Sequence, residues 1–360
     1  MEGMEKTKAI LKKHFAMTDG GNLSYCIGLE FKYDQGKREL TVGQGHYVDY
    51  MMEKFRMKNA ATVTTLTELG DTSGPSEELA PEVPYTSLIG SLMYAGICTR
   101  PDICMAVGRL SRHFAKPSIA HWNAAKRVLR YLKGTQEVGL KYVGNSIAIE
   151  CLVDADWAGD VATRKSTTGM VITMGGAAVL WNSLRQSCVA LSTAEAEYMA
   201  LAHGVKESLW ITSFMREAGL EMVTDKIPMW SDNQGAIAMA GQSGPSKRVK
   251  HVDIKFHFVK EQIEKGTIQL DYCPTTEMKA DILTKPLPRE RIIKLREALG
   301  IKRLKLAEGV TVHEREGKVS CDRPRGRLLD AASHTTCQLE RDCQLDGHLD
   351  REDAQVAHVG

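Results

Sequence analysis

The chain has 360 residues, 43% hydrophobic and 26% charged, with a formal net charge of +2. That length leaves room for about two domains and enough apolar residues for real cores, which excludes a short disulfide-stapled module. No apolar run approaches the roughly 18 residues needed to cross a bilayer. The nine cysteines form no CxxC pair and the start MEGMEKTKAILKKHF is broken by lysines, so the expectation is an intracellular chain, cytoplasmic or nuclear, with reduced thiols and no membrane partner.

In chain order, the apolar spacing predicts a helix from Met4 to Phe15, a turn at Gly20 and Gly21, strands over Ser24–Phe31 and Glu39–Val42, and a helix from Tyr47 to Phe55. Residues 59–82, rich in Thr, Glu, Ser, Gly and Pro, read as an acidic linker. The segment 83–145 reads as helical and basic. Its clearest helix is His121–Lys133, with Trp122, Ala125, Leu129 and Leu132 on one face and the basic residues expected to point outward.

Beyond Gly144 the period changes to that of strands. Apolar runs at Ile147–Val153, Gly169–Met174 and Ala178–Trp181, the last two joined through Gly175-Gly176, predict an antiparallel meander. A long helix (Ala194–Ala218), a strand (Ile227–Ser231), a short helix, a basic loop, a helix (Val249–Lys265), a strand (Thr267–Tyr272) and helices across Thr276–Thr284 and Arg289–Leu299 follow. The order βββαβαβα packs naturally as a mixed α/β sheet with helices on its faces. Residues 301–360 hold no aromatic Phe, Trp or Tyr and 21 charged residues, so a disordered tail is expected.

The charge is patchy. No Lys or Arg occurs from Asn59 to Thr99, whereas Arg100 to Lys133 carries eight basic residues against the single acid Asp102, and Lys247, Arg248, Lys250, Lys255 and Lys260 form a second cluster. Such patches suit a polyanion, although ordinary solvated helix surface accounts for them equally.

Four acids stand where such a sheet could gather them at one edge: Asp154 at the end of the first meander strand, Glu197 in the first turns of the long helix, Asp232 after the fourth strand and Asp281 after the fifth. Carboxylates crowded without His or Cys select a hard cation such as Mg2+. Two ions about 4 Å apart can activate water and stabilise a leaving oxygen in phosphodiester cleavage. Each acid has a plainer use. A turn accounts for Asp154 or Asp156, and Asp232 could cap the next helix. Ser192 with Glu195 is a capping box, which assigns Glu195 to the Ser192 N–H and turns Glu197 about 200° away from it, toward the sheet.

The segments DADWAGD (154–160), RKSTTG (164–169), ALSTAEAEYMAL (190–201), SDNQGAI (231–237), KHVDIKFHFVKE (250–261) and ADILTKPL (280–287) closely resemble the ribonuclease H domain that ends the polyprotein of copia-type LTR retrotransposons. Upstream, VPYTSLIGSLMYAGICTRPDICMAVGRLSRH and HWNAAKRVLRYLKGT look like the connection to reverse transcriptase, and residues 1–58 like the end of the polymerase. The resemblance implies a ribonuclease H-like fold over 146–300, with a five-stranded mixed sheet. It also implies Asp154, Glu197, Asp232 and Asp281 as catalytic metal ligands for two ions, Mg2+ or else Mn2+, and the RNA strand of an RNA:DNA hybrid as substrate. Lys247, Arg248, Lys250, His251 and Lys255, extended by Lys126, Arg127 and Arg130, would hold the hybrid; His251 and His257 serve equally as structural groups. The paired-aspartate polymerase motif is absent, so no DNA synthesis is expected of this chain, which could pair with the rest of a reverse transcriptase. No histidine lies between Tyr272 and Ala280, where many ribonucleases H carry one. The alternative is a silent nucleic-acid-binding remnant.

Overall fold

The computed structural model describes residues 2–17, 19–66, 77–144, 148–220, 226–241 and 250–304, with side chains from residue 5 and, in the last stretch, from residue 254. Residues 1–306 group as one unit. It begins with α1 (Glu2–His14), then β1 (Tyr25–Cys26), β2 (Leu29–Asp34), β3 (Glu39–Gly43) and α2 (Gly45–Lys54). Next come α3 (Tyr85–Cys98), a 3-10 turn (Pro101–Ile103), α4 (Cys104–Ser111), α5 (Ile119–Gly134) and β4 (Val138–Val143). The second half has β5 (Ile149–Asp156), β6 (Thr167–Met174), β7 (Ala177–Arg185), α6 (Thr193–Glu217), β8 (Ile227–Ser231), α7 (Gln234–Gly241), α8 (Lys250–Glu264) and β9 (Ile268–Tyr272). A 3-10 turn (Lys279–Leu283), α9 (Arg289–Ala298) and β10 (Ile301–Arg303) complete it.

The strands form two sheets. The second has the order β7-β6-β5-β8-β9, with β5, β6 and β7 antiparallel and β8 and β9 parallel to β5. It is the ribonuclease H-like mixed sheet that the resemblance implies. Its central strands are buried on both sides, which is why they read as unbroken apolar runs rather than alternations. Cys151, Val153, Met170 and Ile172 pack with α6, whereas Leu152 and Val171 belong to a core shared with α3, α4, α5 and α9. Gly204 lets α6 lie close to the sheet, since a methyl there would come within 2.6 Å of Val153 Cγ1.

The first sheet, β1-β2-β3-β4-β10, is antiparallel throughout. Two expectations change here. The segment 83–145 is not purely helical, because Val138–Val143 pairs with β3. Residues 301–303, expected to belong to the tail, instead form a strand, because Ile301–Arg303 pairs with β4 and so ties the end of the second half to the first sheet. Residues 305–360 lie outside the described residues.

The basic residues of 100–133 do not all point outward. Arg100 and Asp102, two residues apart, form a buried two-pronged ion pair at 2.9 and 2.8 Å, and Tyr131 donates to Asp102 Oδ2 at 2.7 Å. A carboxylate buried between helices must be met by a cation and a donor, and these residues supply both. Arg127 donates to Thr65 Oγ1, Arg130 to Ala61 O, and Lys133 to Lys58 O and Ala60 O. Arg130 and Lys133 thus satisfy carbonyls, and Arg127 a hydroxyl, of a segment that has no regular secondary structure of its own. Among the described residues, no helix is long and apolar enough to cross a membrane.

Candidate active site

β5 and β8 run parallel side by side, so Asp154 near the end of one and Asp232 just past the end of the other emerge at the same sheet edge. The 3-10 turn after β9 brings Asp281 to that edge. One carboxylate oxygen from each of Asp154, Asp232 and Asp281 lies within 4.8 Å of the others. Asp154 and Asp281 are buried, and Asp232 is half-buried.

Glu197 borders this group from α6. It is buried, it accepts from the backbone N–H of Ala155, and its Oε2 has no hydrogen-bond partner. Burial, followed by the charges of Asp154 and Asp232, pushes its carboxyl up to about 9. Asp154 is pushed up to about 6, again chiefly by burial, with Lys285 pulling it back and Asp281 adding to the rise. Asp154 and Glu197 thus resist ionisation until a cation arrives, and the all-oxygen donor set, in which Glu197 Oε2 and Asp281 Oδ1 lack hydrogen-bond partners, fits a hard divalent ion.

Glu195 is placed apart from Glu197. Ser192 Oγ caps α6 by accepting from the Glu195 N–H at 3.2 Å, while Glu195 Oε2 accepts from Leu191 N at 2.9 Å. The capping carboxylate therefore serves Leu191 rather than Ser192, one residue from the expected donor. The helix cap that was the plainer alternative for Asp232 falls to Asn233, whose Oδ1 accepts from Ala236 N at 2.9 Å. Asp232 instead accepts from Thr275 Oγ1 at 2.8 Å.

Several residues around the site carried no signal in the sequence reading. Thr284 donates to Asp154 Oδ2. Lys285 Nζ stands 2.7 Å from Asp281 Oδ1 and 3.5 Å from Asp154 Oδ2, and Arg291 pairs with Asp281 Oδ2 at 3.0 Å. Asp156, on the other side of Ala155 from Asp154, pairs with Arg109 of α4 at 3.4 Å. Gly169 faces Asp154 across the β5–β6 pair, and a methyl there would come within 2.5 Å of Thr284 Cγ2 and 2.9 Å of Ala280 O. Lys285 and Thr284 sit inside ADILTKPL and Gly169 ends RKSTTG, but what they touch depends on distances across the sheet edge that local sequence does not carry.

Of the residues expected to hold nucleic acid, Lys247 and Arg248 lie outside the described residues, and Lys250 and His251 begin α8 with side chains outside them. Lys255 is half-buried and lines a cavity of about 410 Å³ with His203 and Lys206. Lys126 lies over the Trp122 ring, and Arg127 and Arg130 hold the 58–65 segment as above.

The sequence is 38% identical over 306 residues to the retrovirus-related Pol polyprotein from transposon TNT 1-94 of Nicotiana tabacum, covering 82% of this chain and 23% of that protein. It is 33% identical over 302 residues to the corresponding polyprotein from transposon RE2 of Arabidopsis thaliana, covering 83% and 20%. An uncharacterized mitochondrial protein of Arabidopsis thaliana is 34% identical over 202 residues, covering 56% of this chain and 83% of that one. The chain thus spans about a fifth of the length of the plant polyproteins it matches. No family model matches it. Among solved structures, ribonuclease H1 from the archaeon Halobacterium salinarum is similar over 38% of this chain and 94% of its own, at 16% identity and a TM-score of 0.29.

Proposed function

Because the chain belongs to the retrovirus-related Pol polyproteins of copia-type LTR retrotransposons, we propose that it cleaves the RNA strand of RNA:DNA hybrids internally, as the ribonuclease H part of a reverse transcriptase. On this reading residues 146–300 are the nuclease domain, 83–145 its connection and 1–58 the end of a polymerase whose DNA synthesis this chain does not perform. The observation that carries the proposal is the convergence of Asp154, Asp232 and Asp281 within 4.8 Å, with the unpartnered Oε2 of Glu197 beside them.

Asp154, Asp232, Asp281 and Glu197 would hold the divalent cations, Mg2+ or Mn2+. When bound, such ions lower the pKa of water and neutralise a departing oxygen at phosphorus. The chain's own contribution is positional. Thr284 fixes Asp154, Thr275 fixes Asp232, and Lys285 and Arg291 fix Asp281, so the oxygens are pre-aimed and cost little reorganisation when a cation and phosphate arrive. Lys247, Arg248, Lys250, His251 and Lys255 would hold the hybrid backbone without reading sequence. Preference for RNA would rest on 2′-hydroxyl contacts and minor-groove shape.

The test is incubation of the full chain with a labelled RNA:DNA hybrid and Mg2+, beside the Asp232→Asn variant and an EDTA control. Internal RNA cuts that need both Mg2+ and Asp232 support the reading. Hybrid binding without any cutting overturns it in favour of a silent binding remnant.

A further inference from the structure

The acidic pocket already contains a cation of its own. Lys285 follows Asp281 by four residues and holds its ammonium 2.7 Å from Asp281 Oδ1 and 3.5 Å from Asp154 Oδ2, with its side chain 35% exposed. It therefore bridges two of the three carboxylates that converge at the sheet edge. Arg291, reaching in from α9, takes the other oxygen of Asp281 at 3.0 Å. The contact of Lys285 with Asp281 Oδ1 is an ion pair that does not meet hydrogen-bond geometry, so this oxygen is neutralised without its lone pairs being saturated.

A pair of divalent ions about 4 Å apart needs carboxylate oxygens facing both of them. Here the oxygens between Asp154 and Asp281 face an ammonium group instead. Charge leads to the same conclusion. Asp154, Glu197, Asp232 and Asp281, when ionised, are set against Lys285 and Arg291 and retain two negative charges, the complement of one divalent ion. A second ion admitted with both side chains in place would leave the pocket net positive and desolvated, which is costly.

On the reading of this pocket as a divalent-cation nuclease site, we propose that Lys285 is a built-in counter-ion filling one of its two cation positions, so that the substrate-free chain binds one divalent ion tightly and a second only when Lys285 is displaced. Glu197, whose buried Oε2 has no hydrogen-bond partner, and Asp232 are the donors left for the first ion. A lysine suits this task better than an arginine because its compact charge rides on a flexible four-carbon stem. An arriving phosphodiester offers that ammonium an alternative anion, which couples substrate docking to the opening of the second position.

The experiment is a Mn2+ titration of the full chain without nucleic acid, followed calorimetrically and by the loss of free-ion paramagnetic signal. Wild type, Lys285→Met, Lys285→Arg and Asp232→Asn are compared, and the rise in melting temperature on adding Mn2+ serves as a second readout should a variant be loosened. The expected result is one tight ion in wild type and in Lys285→Arg. In Lys285→Met a second ion should bind at least about tenfold tighter than any second ion in wild type, a difference of roughly 1.4 kcal/mol. The same stoichiometry and affinities in Lys285→Met as in wild type would overturn this inference alone. Absence of Mn2+ uptake in every variant would overturn the metal reading of the site and this inference with it.

Discussion

Arg112 Nη1, from the residue that ends α4, lies 2.9 Å from Asp160 Oδ2, in the loop that follows β5, and Arg185 Nη1 of β7 reaches the same oxygen at 3.1 Å. Burial alone would raise the Asp160 carboxyl, but the Thr163 N–H, Arg185 and Arg112 outweigh it and hold the group at about 2. The end of α4 and the end of β7 thus grip the loop leading out of the Asp154 strand.

A carboxylate with a depressed folded pKa contributes stability that is fully present above its unfolded value, near 3.8, and is lost as pH falls toward about 2. Asp160→Asn should therefore destabilise the chain by about 1–2 kcal/mol at pH 7. Its effect should shrink between about pH 4 and pH 2. Urea unfolding at both ends of that range checks the sign, and an equal loss at pH 2 would show that the ion pairs are not the cause.

Glu195 and Glu197, in the first turns of α6, should separate cleanly. Glu195→Ala removes the acceptor of the Leu191 N–H and should cost about 1 kcal/mol, with hybrid cleavage largely kept. Glu197→Gln should abolish cleavage with the fold intact. Melting curves and a cleavage assay on both variants decide this, and the reverse outcome would exchange their roles.

Metal-free stability should run opposite to that of most carboxylate-rich proteins. Asp154 and Glu197 are raised from 3.8 and 4.5 to about 6 and about 9, so the folded chain keeps protons that the unfolded chain releases. By linkage, stability then declines as pH rises from the unfolded values toward the folded ones. In EDTA the melting temperature should fall between about pH 5 and pH 9, and Glu197→Gln should recover on the order of 2 kcal/mol at the upper end. Adding Mg2+ should flatten the decline in wild type but not in the variant.

Arg100 and Asp102 supply a sharper contrast. Asp102→Ala leaves a buried guanidinium without its partner and should cost about 3–5 kcal/mol, whereas Arg100→Met with Asp102→Leu should cost much less. Denaturation midpoints of the single and double variants measure the difference.

The sequence was most informative in the second sheet and in the long helix packed on it. β8 matches Ile227–Ser231 residue for residue, and β5, β6 and α6 start within two residues of their apolar patterns; β6 begins two residues before its apolar run because Thr167 and Thr168 are buried with it. β4 and β10 were not legible. Each is a short strand whose partners lie about 100 residues away or more, and VGLKYV or IKR alone carries no such information. The inward turn of Arg100 was hidden for a similar reason, since only the fold shows that Asp102 is buried. At the candidate site the acids stood out as residue types at strand ends. Lys285, Arg291 and Gly169 did not, because their roles lie in distances across the sheet edge rather than in local pattern.

Gly169 offers the most direct test of how that edge is built. It pairs with Asp154 in the β5–β6 register, and the 3-10 turn carrying Asp281 lies directly over it. Its φ is not in the left-handed region, so the requirement is for space and not for conformation. A methyl group there would press on Thr284 Cγ2 at 2.5 Å, Ala280 O at 2.9 Å and Leu283 Cβ at 3.0 Å. Thr284 is the donor to Asp154, and Ala280 and Leu283 bracket Asp281 and Ile282. Relief of the overlap requires the turn to lift, which carries Asp281 and Lys285 away from Asp154. Gly169→Ala should therefore cost about 1–3 kcal/mol by overpacking. It should also weaken Mn2+ binding more than that loss of stability alone explains. The comparison is with Gly204→Ala, which crowds Val153 Cγ1 at 2.6 Å from the α6 side, away from Asp281. If both variants lose stability but only Gly169→Ala loses Mn2+ affinity, the turn's seat on Gly169 is what sets the spacing of the acids. Equal affinity in both would show that the acids keep their spacing without it.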